Sequence, residues 1–317
     1  MRKFLFLPLL ALLASCGEDE DCNITNPKPE DLISPALYAT LEQSTTDPYN
    51  GPLEVLPCET NGSIYIGNYT ADGKQVPFPA YYSITNGIGK SQRYPLRLPV
   101  GTYNVIYWGY PDYFDTAGDA YLSDPTLIVG EELNGTSLGL RKIQGDTIYY
   151  PVHNLVFGTQ NINIGKDELE AHLKHVSAAL GVIASETNGN AFSEAIDSMW
   201  VYISNIYSNL NYFSAQPEGT FKTISFGLKP SADRKEFSNE FVSVFPSLPN
   251  PSIQIFVQLN NGTTKHYQQK LASQLNAGTK TTVNLSMDGV LLEEGSTGGF
   301  QVDKWKEQND SIHIPLN

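Results

Sequence analysis

The chain has 317 residues, with 20 lysines and arginines against 34 aspartates and glutamates and a formal net charge of −14. That balance leaves no basic footprint for nucleic acid or for an anionic lipid surface. Eighteen tyrosines with only 17% charged residues suit a β-rich extracellular protein with polar, uncharged faces, and the length allows two ordinary domains or one large one.

The first fifteen residues read as a secretory leader. Arg2 and Lys3 precede an apolar run over 4–13, and small residues lead into Cys16. The run is too short to cross a bilayer, whose core needs about 20 apolar residues. Leu13-Ala14-Ser15-Cys16 resembles the lipobox of bacterial lipoproteins. The resemblance implies cleavage before Cys16, which then carries the lipid and holds the mature protein at a membrane. Two or more acyl chains suffice for stable anchoring. Glu18-Asp19-Glu20-Asp21 follows at once. As physics it is a self-repelling, solvated spacer; as pattern it resembles the acidic signal of surface-exposed lipoproteins of Bacteroidetes. An Asn-Pro-Lys-Pro-Glu stretch then extends the tether to about residue 35. With Cys16 acylated, Cys22 and Cys58 remain. In an oxidising envelope a Cys22–Cys58 bridge and two separate thiols are both compatible with the sequence.

From residue 36 short apolar or alternating runs recur at 62–69, 94–98, 102–108, 127–129 and 147–150, separated by Gly, Pro, Asn and Asp clusters. Such spacing predicts a sandwich rather than βαβ units. Pro99 to Gly101 makes a turn. Beyond it Tyr103, Val105 and Tyr107 fall on one side of a strand, with Asn104, Ile106 and Trp108 on the other. Gly158, Asn161, Asn163 and Gly165 in quick succession set the expected domain boundary after residue 158. Leu169, Leu173, Val176 and Leu180 have helical spacing behind Asp167 as N-cap, whereas Val176, Ala178, Leu180, Val182 and Ala184 alternate. The expectation is one or two helical turns running into a strand. The second half repeats the β style at 198–205, 220–228, 252–259, 265–270 and 281–287, with Asn261-Gly262 as a hairpin turn. The expected layout is a leader over 1–15, an acidic tether over 16–35, β-sandwiches over 36–158 and 159–292, and a C-terminal strand and tail over 293–317.

The lipobox, Leu-Pro-x-Gly-x-Tyr-x-Val-x-x-Trp-Gly over 98–109, Phe245-Pro246-Ser247 ahead of an alternating strand, and Asn276-Ala277-Gly278-Thr279 leading into Val283-Asn284-Leu285 occur together. Together they resemble the FimB-type fimbrial anchor and fimbrillin-like lipoproteins of Bacteroidales, the type V pilus subunits. That resemblance implies an all-β fold of two tandem transthyretin-like Greek-key sandwiches with minor helix. It also implies other fimbrial subunits as partners, no enzyme activity and no cofactor. Stalk subunits of that family mature by cleavage after an arginine in the N-terminal arm. Here the first arginine after Arg2 is Arg93, which favours an anchor or accessory subunit that keeps its lipid. Assembly by strand addition needs a segment with a period-two apolar face. Phe300 and Val302, with Trp305 beyond, make the candidate donor strand, and they serve equally well as the chain's own last strand.

No nucleophile elbow, zinc-protease motif or phosphate loop occurs, so no catalytic residue is nominated. His172 and His175 stand three apart with no third ligand at a readable spacing, and no metal is expected. Asp112, Asp115, Asp119 and Asp124 form an acidic loop without calcium-loop spacing. The aromatic run containing Tyr107, Trp108, Tyr110 and Tyr113 carries the alternative function. Flat rings beside carboxylates suit sugars, so the alternative is a surface lipoprotein that binds host or bacterial glycans. Against it stands plain packing of these rings in a tyrosine-rich core.

Overall fold

The computed structural model describes residues 27–42, 46–92, 94–111 and 122–287, and the backbone of 300–303 and 312–313. Within them the protein is built almost wholly from β-strands.

The first sheet runs in the order Leu169–His175, Val156–Ile164, Gly101–Gly109, Gly51–Cys58, Ala80–Thr85, Ile88–Ser91, Leu37–Glu42 and Thr46–Pro48. It closes on itself, because Leu169–His175 also pairs in parallel with Leu37–Glu42, Leu169 opposite Leu37 and Leu173 opposite Leu41. Closure removes two open edges that would otherwise invite unwanted pairing. One core lies inside this closed sheet and includes Leu53, Val55, Val105, Tyr107, Ile162 and Leu173.

Gly101–Gly109 is the central strand, paired along its length with Val156–Ile164 and over part of it with Gly51–Cys58. A strand covered on both faces needs apolar side chains at even and odd positions alike. Here Val105 and Tyr107 point into the first core, while Ile106 and Trp108 point the other way into a second, larger one. Gly51 permits the tight approach beside it. Its φ is +141°, and a Cβ there would sit 2.6 Å from the Tyr110 carbonyl oxygen.

The second core is a two-layer sandwich. One layer contains Ile196–Asn211 flanked by Pro217–Pro230 and Ser252–Leu259, with Thr264–Lys270 outside the latter. The other contains Ala178–Glu186 paired in parallel with Lys280–Met287. Glu236–Ser238 pairs with strands of both layers and links them. Met199, Val201, Ile203, Ile255 and Val257 from the first layer share one apolar cluster with Leu180, Val182, Val283 and Leu285 from the second.

Two expectations are corrected. The boundary after residue 158 falls inside Val156–Ile164, and that strand and Leu169–His175 both complete the first sheet. Conversely, Ser137–Leu140, from the expected first domain, pairs with the end of Ile196–Asn211 in the second sandwich. The expected helix after Asp167 is also a strand. Leu169, Ala171 and Leu173 are buried while Glu170, His172 and Lys174 are exposed. A two-residue alternation fits these residues as well as the helical spacing does, and closure of the first sheet selects it.

Candidate functional site

Three regions bear on function: the N-terminal arm, the junction of the two cores, and the outer edge of the second sandwich. Cys16 and Cys22 lie outside the described residues. Cys58 faces the larger core with no exposed surface, and burial, aided by the charge of Glu59, pushes its thiol up to about 12. It is an unreactive core group unless Cys22 reaches it.

At the junction, Trp108 is fully buried. Its indole nitrogen donates to the Tyr212 backbone carbonyl at 2.9 Å. The Tyr212 ring stacks on it at 5.4 Å, and Phe157 meets it edge-on at 5.0 Å. The Tyr212 hydroxyl donates in turn to Glu54 Oε2 at 2.9 Å. Glu54 belongs to Gly51–Cys58 and Tyr212 follows Ile196–Asn211, so a polar contact pins the two halves beside an aromatic stack. Burial raises the Glu54 carboxyl to about 7. The hydrogen bonds from Tyr212 and Tyr81 oppose that rise, and the nearby charge of Asp124 adds to it.

The proposed sugar contacts divide accordingly. Tyr107 is fully buried in the first core, its hydroxyl donating to Gln160 Oε1 at 2.6 Å. Trp108 is the keystone of the junction. Neither offers a face to a glycan, and the physical reason is that both sides of their strand are packed. Tyr110 packs against the larger core, and Tyr113 lies outside the described residues with most of the acidic loop. His172 and His175 are three apart on a strand, hence on opposite faces. His172 Nδ1 meets Thr40 Oγ1 at 3.0 Å and His175 Nδ1 meets Asn154 Oδ1 at 2.8 Å. Both border one cavity, each tied to its own partner, and among the described residues they belong to no group of three potential metal ligands.

The outer edge of Lys280–Met287 receives two short terminal segments. Phe300–Asp303 pairs with it antiparallel, Val302 opposite Val283, and Ile312–His313 pairs in parallel, Ile312 opposite Leu285. The candidate donor residues Phe300 and Val302 therefore sit on the chain's own sheet, while Trp305 lies outside the described residues. Along Lys280–Met287 itself, Thr281, Val283, Leu285 and Met287 are buried and alternate with Thr282, Asn284 and Ser286. This alternation sends the apolar side chains into the core and the polar ones outward, while the strand's outer edge carries the terminal pairings.

Trp200 and Tyr202, whose strand is legible in the sequence without a decision on which way they face, form with Phe256 a row of outward aromatics on the second sandwich that sequence reasoning did not nominate as a site. The signal was there: Phe256 breaks the polar face of Ser252–Leu259, whose apolar residues Ile253, Ile255, Val257 and Leu259 all point inward.

Comparison with known proteins now decides the family. Residues 29–311 match the profile of the fimbrillin-A associated anchor proteins Mfa1 and Mfa2. The chain belongs to this family. Among solved structures, the fimbrial anchor protein Mfa2 from Porphyromonas gingivalis is similar at 10% identity and a TM-score of 0.51, over 88% of this chain and 99% of that one. A candidate polysaccharide-binding protein from Bacteroides thetaiotaomicron gives 12% identity and a TM-score of 0.51, over 89% and 98%. A candidate adhesin from Bacteroides ovatus gives 12% identity and 0.51, over 89% and 96%. At such identities the likeness is one of fold. No match is found among curated proteins. Membership of the anchor family associates this protein with fimbriae and the cell surface, in a family of anchor proteins rather than a class of enzymes.

Proposed function

We propose that this anchor-family protein is a lipoprotein held at the outer membrane through Cys16, facing outward, and serving as an anchor or accessory subunit of a fimbrium. The observation that carries the reading is the edge of Lys280–Met287, whose pairings on that side, among the described residues, are two short terminal ones. A partner's strand can extend this sheet by ladder bonds, with the terminal segment either displaced or contributed to the neighbour. The lipobox and acidic tether supply the membrane end of the same design. The absence of an arginine between Arg2 and Arg93 supports an arm that keeps its lipid.

The test is purification of surface fibres by shearing, followed by mass spectrometry of co-purifying chains. An anchor or accessory role predicts recovery with other fimbrial subunits, with acyl chains on Cys16 and an intact arm. Cys16→Ala should release the protein from the membrane fraction. Recovery of the wild-type protein free of any fimbrial subunit would reject the assembly role, and an arm cleaved at Lys28 would make it a stalk subunit.

A further inference from the structure

We propose that the outer face of the Ile196–Asn211 layer is a binding platform for neutral polysaccharide. Four strands run side by side there, and their register aligns Gly227, Trp200, Phe256 and His266 in a single row across the sheet. The Trp200 and Phe256 rings stack at 5.6 Å with only 5° between their planes, and His266 continues the stack at 5.7 Å from Phe256. Tyr202, one row along, leans on Phe256 at 4.6 Å. All three aromatic side chains are half-buried, on the face opposite the core positions Met199, Val201 and Ile255.

The row has a gap at one end. Trp200 is supported by Phe256 on one flank and has Gly227 on the other. A Cβ at Gly227 would meet nothing within 4 Å, and its φ lies outside the left-handed region. Backbone geometry therefore does not require glycine there; its effect is to leave the indole open on that side. The space it leaves suits a flat ring whose weakly positive C–H groups meet the negative face of the indole, the preference set by the aromatic quadrupole. A pyranose presents such a face. Its hydroxyls need neutral donors and acceptors, and the next rows supply Gln254, Gln268 and Gln258.

Charge selects the occupant. The chain carries 34 carboxylate side chains, yet among the described residues these register-aligned rows hold none. A half-buried aromatic row flanked by amides, with no carboxylate and with Lys229 and Lys270 only at its margin, is a good seat for an uncharged, hydroxyl-rich chain.

The experiment is native electrophoresis of the folded chain in gels cast with mannan, galactomannan, xyloglucan or dextran, with heparin as a charged comparator. Retardation is expected in at least one neutral gel and not in heparin. Gly227→Glu, which fills the open flank without touching the rings, should weaken that retardation about tenfold or more; Trp200→Ala should do the same. Because Trp200→Ala can also loosen the sheet, Gly227→Glu with an unchanged unfolding midpoint is the deciding variant. Unretarded wild-type protein in all four neutral gels overturns the proposal, as does equal retardation of Gly227→Glu. A Gly227→Glu variant that changes the oligomeric state in sedimentation without changing retardation would make the face a protein interface instead.

Discussion

The sequence left Trp108 between a sugar contact and a packed core ring; its position makes it the residue on which the two cores meet. Truncating a buried indole that carries a hydrogen bond and two ring contacts costs about 3–5 kcal/mol. Trp108→Ala should therefore lower the denaturation midpoint severely, whereas Trp108→Phe, which keeps much of the packing, should lose clearly less. A sugar-contact role would have left the midpoint nearly unmoved. Glu54 gives a second prediction of the same scale. Its folded carboxyl is raised to about 7 from an ordinary value of 4.5. Between these values the folded state holds more proton than the unfolded one, so stability is greatest toward the acid end of that window and falls as pH rises through 7. Denaturant midpoints measured from pH 5 to pH 8 should decline for the wild type. In Glu54→Gln, which retains an acceptor for the Tyr212 hydroxyl, the profile should flatten over this range. An equally steep decline in the variant would assign the effect to another group, Asp124 being the nearest candidate.

At the scale of elements, the terminal strand is the part most open to manipulation. Deleting residues 300–317 strips the pairing from the outer edge of Lys280–Met287. Exposed ladder groups invite intermolecular pairing, so the shortened chain should self-associate in sedimentation, and a synthetic 300–317 peptide should suppress this. A truncated chain that stays monomeric would mean the edge is not an acceptor. The same scale shows what was legible in the sequence. Gly101–Gly109 and Ser252–Leu259 were visible because their patterning is complete within one short window, and the Asn261-Gly262 turn fixed the hairpin that follows. Leu37–Glu42 and Leu169–His175 were not, because what stabilises them is pairing across 132 positions of chain, as between Leu37 and Leu169. No local window contains that information, and over 169–180 helical and strand spacings overlap. Packing of Trp108 was one of two readings, and the core it enters was hidden for a related reason. Alternation tells which residues share a face, but not whether a second core covers the other one.

At the scale of the molecule, the two halves do not divide where the chain's punctuation divides. Leu56, Ile106 and Trp108 from the first sheet lie in the same apolar cluster as Val182, Ile203 and Val283 from the second sandwich. Ser137–Leu140 crosses forward into the second sandwich, and Val156–His175 remains with the first sheet. Each half is thus completed by chain that a cut after residue 158 would assign to the other. Two modules sharing a core in this way should unfold as one cooperative unit, with calorimetric and van't Hoff enthalpies in agreement. Substitutions deep in either half then test the same quantity. Leu173→Ala lies in the first core and Ile203→Ala in the second, and each removes about 2–5 kcal/mol. Both should shift a single transition to lower temperature, leaving no residual peak at the wild-type position. Two transitions, with each variant moving only one, would instead mean that the Trp108–Tyr212–Glu54 contact is a hinge between independent modules. For an anchor-family protein that difference is mechanical. If a partner's strand loads the Lys280–Met287 edge as proposed, a shared core would transmit the pull through the stacked indole to the first sheet, whereas a hinge would let the modules part under load.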